Sequence, residues 1–261
     1  MFVKGHIVVI DSGIGGLSVL TQIRSRLPEV SYSYAMDNQY LPYGELPYTT
    51  LIERLQWMIK QVLVHESPDL FVIACNTAST QALDVLRTQV AQPIVGVVPA
   101  IKPAAKLSTH QEILLLATPA TVDGVYVQSL IDQFAVGCHV HRVGSAGLVH
   151  LAEKKLQSQI SMNEQVYDEL KQDLPHLKKV DVVILGCTHF PFLLEELQFT
   201  FGESVQIVDS GEAIARRVEA LLQIQTNGKT REQSLYVSKA LTVDMKTQLN
   251  HTYGFEEVSL L

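Results

Sequence analysis

Eight short apolar runs punctuate the chain: HIVVID (6–11), VSYSYAMD (30–37), LFVIAC (70–75), PIVGVV (93–98), EILLLAT (112–118), CHVHRVG (138–144), VDVVILGC (180–187) and VQIVDS (205–210). Several are apolar at nearly every position rather than at every second one. That pattern marks parallel strands covered on both faces. The stretches between them carry apolar residues at helical spacing. In TLIERLQWMIKQVLVHE, residues Leu51, Leu55, Met58, Ile59 and Val62 fall on one helix face. GGLSVLTQIRSRL has similar character directly after the first run. Strand-helix alternation predicts an α/β fold with right-handed crossovers. TNGKTREQSLYV, after Gln225, carries the weakest pattern.

The runs repeat. Asp11 and Cys75 end the first and third, 64 positions apart; Thr118 and Cys187 end the fifth and seventh, 69 apart. A shorter run lies between the members of each pair. Two similar α/β halves are therefore expected, with mostly parallel sheets flanked by helices and one of these cysteines in each. Ligands in such sheets bind beyond the carboxyl ends of the strands. Two halves facing each other would place two thiols across one cleft, which is the expected active site.

The residues at those ends carry the chemistry. Cys75 and Cys187 each follow an apolar run and precede an expected helix start that Thr77 or Thr188 would cap. Such an end offers free N–H groups and a positive dipole, which favour a thiolate. A buried, inert cysteine is the plainer alternative, and Cys138, with no polar motif after it, takes that reading. DSGIGG, Asp11 to Gly16, suits a tight turn whose N–H groups hold an anion. As a dinucleotide fingerprint it is incomplete, because Ser18 replaces the third glycine, although Asp37 stands where a ribose-binding acid belongs. Asp11 accepts a proton, orients a thiol, holds an ammonium group or caps the next helix. LPYGELPY makes a turn in which Tyr43 and Gly44 can close over a ligand. His189, two residues from Cys187, suits proton shuttling. Thr118 and Thr121 offer hydroxyls or simply start a helix.

Charge and size narrow the classes. A formal net charge of -7 argues against nucleic acid as partner. No run is long enough for a membrane span, and the short apolar stretch near Met1 does not read as a signal peptide. Three cysteines make no disulfide framework, so a reduced, cytoplasmic setting is expected. No metal set is expected, since Cys187-Thr188-His189 alone is too sparse for zinc, although Cys75, Cys187 and His189 together could in principle bind one. The motifs hold no Arg or Lys, so an anionic ligand would rely on backbone N–H groups, hydroxyls and amides.

DSGIGG, PYG, ACNTAS and GCTHFP, in this order and spacing, resemble the glutamate racemases of the aspartate/glutamate racemase superfamily. GVVPAIKPA, GSAGLVHLAE and VDSGEAIARR extend the resemblance from about Gly5 to Arg217. It implies two similar domains, 1–98 plus 208–261 and 99–207, and cofactor-independent proton transfer at the α-carbon of glutamate, supplying D-glutamate for peptidoglycan. By the matching motifs, Cys75 takes the proton from D-glutamate and Cys187 from L-glutamate. Asp11 assists Cys75, and His189 assists Cys187 together with Glu153. Ser12, Tyr43, Gly44, Asn76, Thr77, Thr121, Thr188 and His189 bind substrate, with Asp11. The family includes dimers and members activated by a peptidoglycan precursor; the residues select neither property. Two stretches depart from the family: Ala117-Thr118-Pro119 where many members have Gly-Thr, and Leu46-Pro47 in place of a polar pair.

Inverting a stereocentre through a planar carbanion needs a base on one face and an acid on the other, and two thiols supply both in either direction. The nearest rival is a racemase for aspartate or another amino acid. A nicotinamide-dependent oxidoreductase and a module that merely binds an acidic metabolite are the others.

Overall fold

The computed structural model describes residues 5–222 and 233–261. The chain divides into two compact units, Met1–Val97 with Gly211–Leu261, and Val98–Ser210. Ten strands are present among the described residues: β1 (His6–Asp11), β2 (Ser31–Met36), β3 (Leu70–Ile73), β4 (Ile94–Gly96), β5 (Glu112–Ala117), β6 (His139–Gly144), β7 (Val182–Leu185), β8 (Gln206–Val208), β9 (Gln233–Val237) and β10 (Val258–Leu260). The first eight coincide with the eight apolar runs. Of the weakly patterned stretch after Gln225, residues up to 232 lie outside the described residues, and the remainder forms β9.

The first unit holds a six-stranded sheet in the order β10-β9-β2-β1-β3-β4, and the second a four-stranded sheet in the order β6-β5-β7-β8. Every pairing is parallel. The four-strand order β2-β1-β3-β4 of the first unit recurs as β6-β5-β7-β8 in the second, so the repeat seen in the sequence is a repeat of topology.

Both faces of the first sheet are covered. Val8, Ile10, Phe71 and Ile73 join the core that receives Leu51, Leu55, Met58, Ile59 and Val62 of the helix Tyr48–His65. Their strand neighbours Ile7, Val9, Leu70 and Val72 point to the opposite face and are equally buried. This double burial explains the unbroken apolar runs: a polar residue at any of these positions would lose its water without gaining a partner. In the second sheet Ile113, Leu115, Val182 and Ile184 form one face of the core.

Two glycines permit the close approach on which the site depends. A Cβ on Gly16, where the helix Gly16–Arg26 begins, would lie 2.8 Å from Ala74 Cβ and 2.9 Å from Asp11 Cβ. A Cβ on Gly186, just before Cys187, would lie 2.9 Å from Ala117 Cβ. Only hydrogen fits at either place, so the ends of the central strands pack tightly in both units.

Candidate active site

In each unit the chain turns from its first strand to one side and from its third strand to the other. Crevices at such reversals of strand order, beyond the carboxyl ends, are where ligands bind in open α/β sheets. Cys75 lies two residues beyond β3, and Cys187 two residues beyond β7. The two thiols thus occupy the same topological position in two copies of one sheet. Neither is in a disulfide, and both are buried.

Their immediate settings differ. Cys75 directly precedes the twelve-residue helix Asn76–Arg87 as its N-cap residue. Its thiol therefore stands at a helix end that carries roughly half a positive charge. Thr77 sits inside the first turn and is not the cap that its sequence position suggested. Cys187 is followed by a 3-10 turn, Phe190–Leu193, rather than an α-helix. Thr188 therefore caps no α-helix. What faces Cys187 instead is an imidazole: Sγ and His189 Nδ1 are 3.9 Å apart.

His189 is held from behind. Its Nε2 lies 2.8 Å from Oε1 of Glu153, on the helix Gly147–Ser158. Burial pulls the imidazole towards neutrality, but hydrogen bonding to Cys187 and Glu153, with their electrostatic attraction, outweighs it. The result is a pKa well above the usual 6.5. Thr121, wholly buried in the short helix Pro119–Val122, shares a 3.0 Å hydroxyl–hydroxyl hydrogen bond with Thr118 beyond the neighbouring end of β5.

In the first unit Asp11 ends β1 fully buried. Its Oδ1 accepts from Gly13 N at 3.0 Å and from Ser12 Oγ at 3.3 Å. Tyr43 and Gly44 lie in the 3-10 turn Tyr43–Glu45. The buried Tyr43 hydroxyl donates to Asp37 Oδ2 at 2.9 Å. Burial, the charge and hydrogen bond of Asp37, and electrostatic coupling to Cys75 and Asp11 all raise its pKa well above 10, so it remains a donor. Asn76 is buried beside Cys75, and its Nδ2 is one of two buried side-chain polar atoms without a hydrogen-bond partner among the described residues.

Asp37 is not available to a ribose. Arg54 holds it bidentately at 2.8 and 2.9 Å, and the guanidinium is sandwiched 4.1 Å from the rings of both Tyr40 and Trp57. Arg54 lies in none of the motifs, and no local signal pointed to it; only the fold brings it to Asp37. Cys138 sits half-buried just before β6, packed against the second unit's core.

Residues 17–218 match the model of the Asp/Glu/Hydantoin racemase family. The glutamate racemase of Shewanella loihica is 44% identical over 259 residues, covering 98% of this chain and 96% of that protein. That of Vibrio cholerae is 47% identical over 234 residues, covering 89% and 87%. The crystal structure of Escherichia coli glutamate racemase in complex with L-glutamate and the activator UDP-MurNAc-ala superposes with a TM-score of 0.91 at 40% identity, covering 99% of this chain and 98% of that one. With two thiols at matching ends of two parallel sheets, the chain belongs to the Asp/Glu/hydantoin racemase family.

Proposed function

We propose that this protein is a glutamate racemase that interconverts L- and D-glutamate with two cysteines and no cofactor, supplying D-glutamate for peptidoglycan. The observation that carries the reading is the equivalent placement of Cys75 and Cys187 beyond the third strand of each sheet. A racemase needs one proton carrier at each face of the α-carbon, and a duplicated half-site provides two of the same kind. The glutamate racemases of Shewanella and Vibrio, at 44–47% identity over most of the chain, support glutamate over other acids.

In the L-to-D direction the Cys187 thiolate takes the α-proton, and the Cys75 thiol gives a proton to the opposite face. The reverse reaction exchanges the roles. His189, charged and braced by Glu153, stabilises the Cys187 thiolate and moves its proton. At the other thiol the N-terminus of the helix Asn76–Arg87 supplies positive field, while Asp11 orients the thiol or accepts the substrate ammonium. Charge that develops on the substrate carboxylate during proton removal needs donors already in place. Asn76 Nδ2 is such a donor, joined by Ser12, Tyr43, the backbone at Gly44, Thr77, Thr121 and Thr188. The functional division follows residues 1–98 plus 208–261 and 99–207.

Among the described residues no helix is long and apolar enough to cross a membrane. A cytoplasmic placement is part of the proposal and rests on the expected reduced thiols. Activation by a peptidoglycan precursor is part of the proposal, supported by the likeness to the Escherichia coli enzyme crystallised with UDP-MurNAc-ala. A homodimer is retained from the family resemblance. Circular dichroism of pure L-glutamate and pure L-aspartate, incubated separately with the protein and no cofactor, tests the substrate. Decay of the glutamate signal to zero with aspartate unchanged is expected; the opposite result assigns the enzyme to aspartate.

A further inference from the structure

We infer that Glu112, His139 and His141 form a binding site for one divalent late transition-metal ion, of which Zn2+ is the representative, at the edge strand of the second unit's sheet. Strand geometry creates the cluster. Glu112 opens β5 and pairs in register with His139, which opens β6, while His141 pairs with Leu114. Residues two apart on a strand share a face, and so do registered residues of neighbouring parallel strands. Both imidazoles and the carboxylate must therefore project from one side. In the sequence His139 and His141 lie in a run read only as a strand, and Glu112 stands 27 positions before His139, so no local pattern joins the three.

The ligand atoms already converge. His141 Nε2 lies 2.8 Å and His139 Nδ1 3.3 Å from the same Glu112 oxygen, and one ligand atom from each residue falls within 4.8 Å of the others. Around a tetrahedral ion with bonds of about 2.0–2.1 Å, ligand atoms stand about 3.3 Å apart. Small side-chain rotations bring the three to that spacing. A hydrogen-bonded His–carboxylate pair would need only one ring. Here two rings lie with centroids 4.2 Å apart, both directed at one carboxylate.

The chemistry selects the class of ion. Two imidazoles with one carboxylate suit Zn2+, Ni2+ or Cu2+ rather than Mg2+ or Ca2+, which prefer all-oxygen shells. Glu112 and His141 are partly shielded, with side chains 23% and 18% exposed, whereas His139 is 67% exposed. The ion would enter from the His139 side and complete its shell with water. It would tie β5 to the edge strand β6 at the opposite end of those strands from Thr118. The site is independent of the racemase assignment.

The test is a Co2+ titration of the metal-stripped full-length protein, followed by displacement with Zn2+. One equivalent of Co2+ is expected, with visible d–d absorption and no thiolate charge-transfer band. Added Zn2+ should also raise the melting midpoint, because it binds only the folded chain. His139→Ala and His141→Ala should each weaken binding by more than about 100-fold, beyond the roughly 10–100-fold that loss of an outer-shell partner typically costs. The exposed His139 carries no core packing, so loss in His139→Ala cannot be unfolding. Absence of stoichiometric binding, unchanged affinity in both variants, or a thiolate band placing the ion on cysteine would each overturn the inference.

Discussion

Glu153 Oε1 stands 2.8 Å from His189 Nε2, and this contact helps to fix the charge of the ring beside Cys187. Burial alone would favour neutral imidazole; the bonds to Cys187 and Glu153 carry the pKa well above 6.5 instead. Glu153→Gln keeps a hydrogen-bond partner but removes the charge. The His189 pKa should fall, and the basic limb of the pH profile of kcat/KM should move to lower pH. His189→Asn should reduce kcat/KM by about 10²–10⁴-fold, the usual worth of a positioned acid or base. The loss must be equal in both directions, because the enantiomers have equal free energy. Its asymmetry should appear in the primary isotope effect with α-deuterated substrates, which should grow for L-glutamate, where Cys187 abstracts.

Asn76 separates function from stability. An unpaired buried donor costs roughly 1–3 kcal/mol, so Asn76→Ala should leave the melting midpoint unchanged or raised. The same substitution should lower kcat/KM by about 5- to 150-fold, the kinetic equivalent of that energy. Calorimetry and steady-state kinetics on one preparation check both halves of this prediction.

Arg54 and Tyr43 both bond to Asp37, and their removal should not be equivalent. Arg54→Met leaves a buried carboxylate without its cation and should cost about 3–5 kcal/mol. Tyr43→Phe removes one neutral donor while Arg54 stays, and should cost about 1 kcal/mol. Urea denaturation of the two variants gives the comparison, and a rise in KM is expected for both, since the turn at Tyr43 is anchored through Asp37.

Asp181 predicts how the second unit responds to acid. Burial opposes its charge, but Ser108 Oγ, His110 N, Thr109 N and Thr109 Oγ1 all donate to it, and the net effect lowers its pKa from 3.8 to about 2. A depressed carboxylate pKa stabilises the fold above the unfolded value. That contribution should be complete above about pH 4 and vanish as the pH falls from 3.8 towards 2. Asp181→Asn should therefore be less stable than the parent near neutral pH and show a flatter loss between pH 4 and pH 2, measured by urea midpoints.

The strands were legible because double-sided burial leaves unbroken apolar runs, and the duplicated placement of Cys75 and Cys187 followed from those runs. β10 was missed because three residues at an edge carry too little apolar signal. The helix caps were misjudged at Thr77 and Thr188 because capping depends on backbone angles that residue type only biases. The partners of the site were harder still. Arg54 reaches Asp37 across 17 positions, and Glu153 reaches His189 across 36. Such pairings are set by packing of helices on sheets, which local pattern does not encode, and only the family resemblance suggested Glu153.

The central claim is that two thiols act on opposite faces of the α-carbon. Its most direct test is proton NMR of L-glutamate with the enzyme in heavy water, read at early conversion. The account predicts that newly formed D-glutamate carries deuterium at the α-carbon while unreacted L-glutamate keeps its proton. Protium retained in the D-glutamate would mean that one group carries the same proton across both faces, and would contradict the two-thiol mechanism.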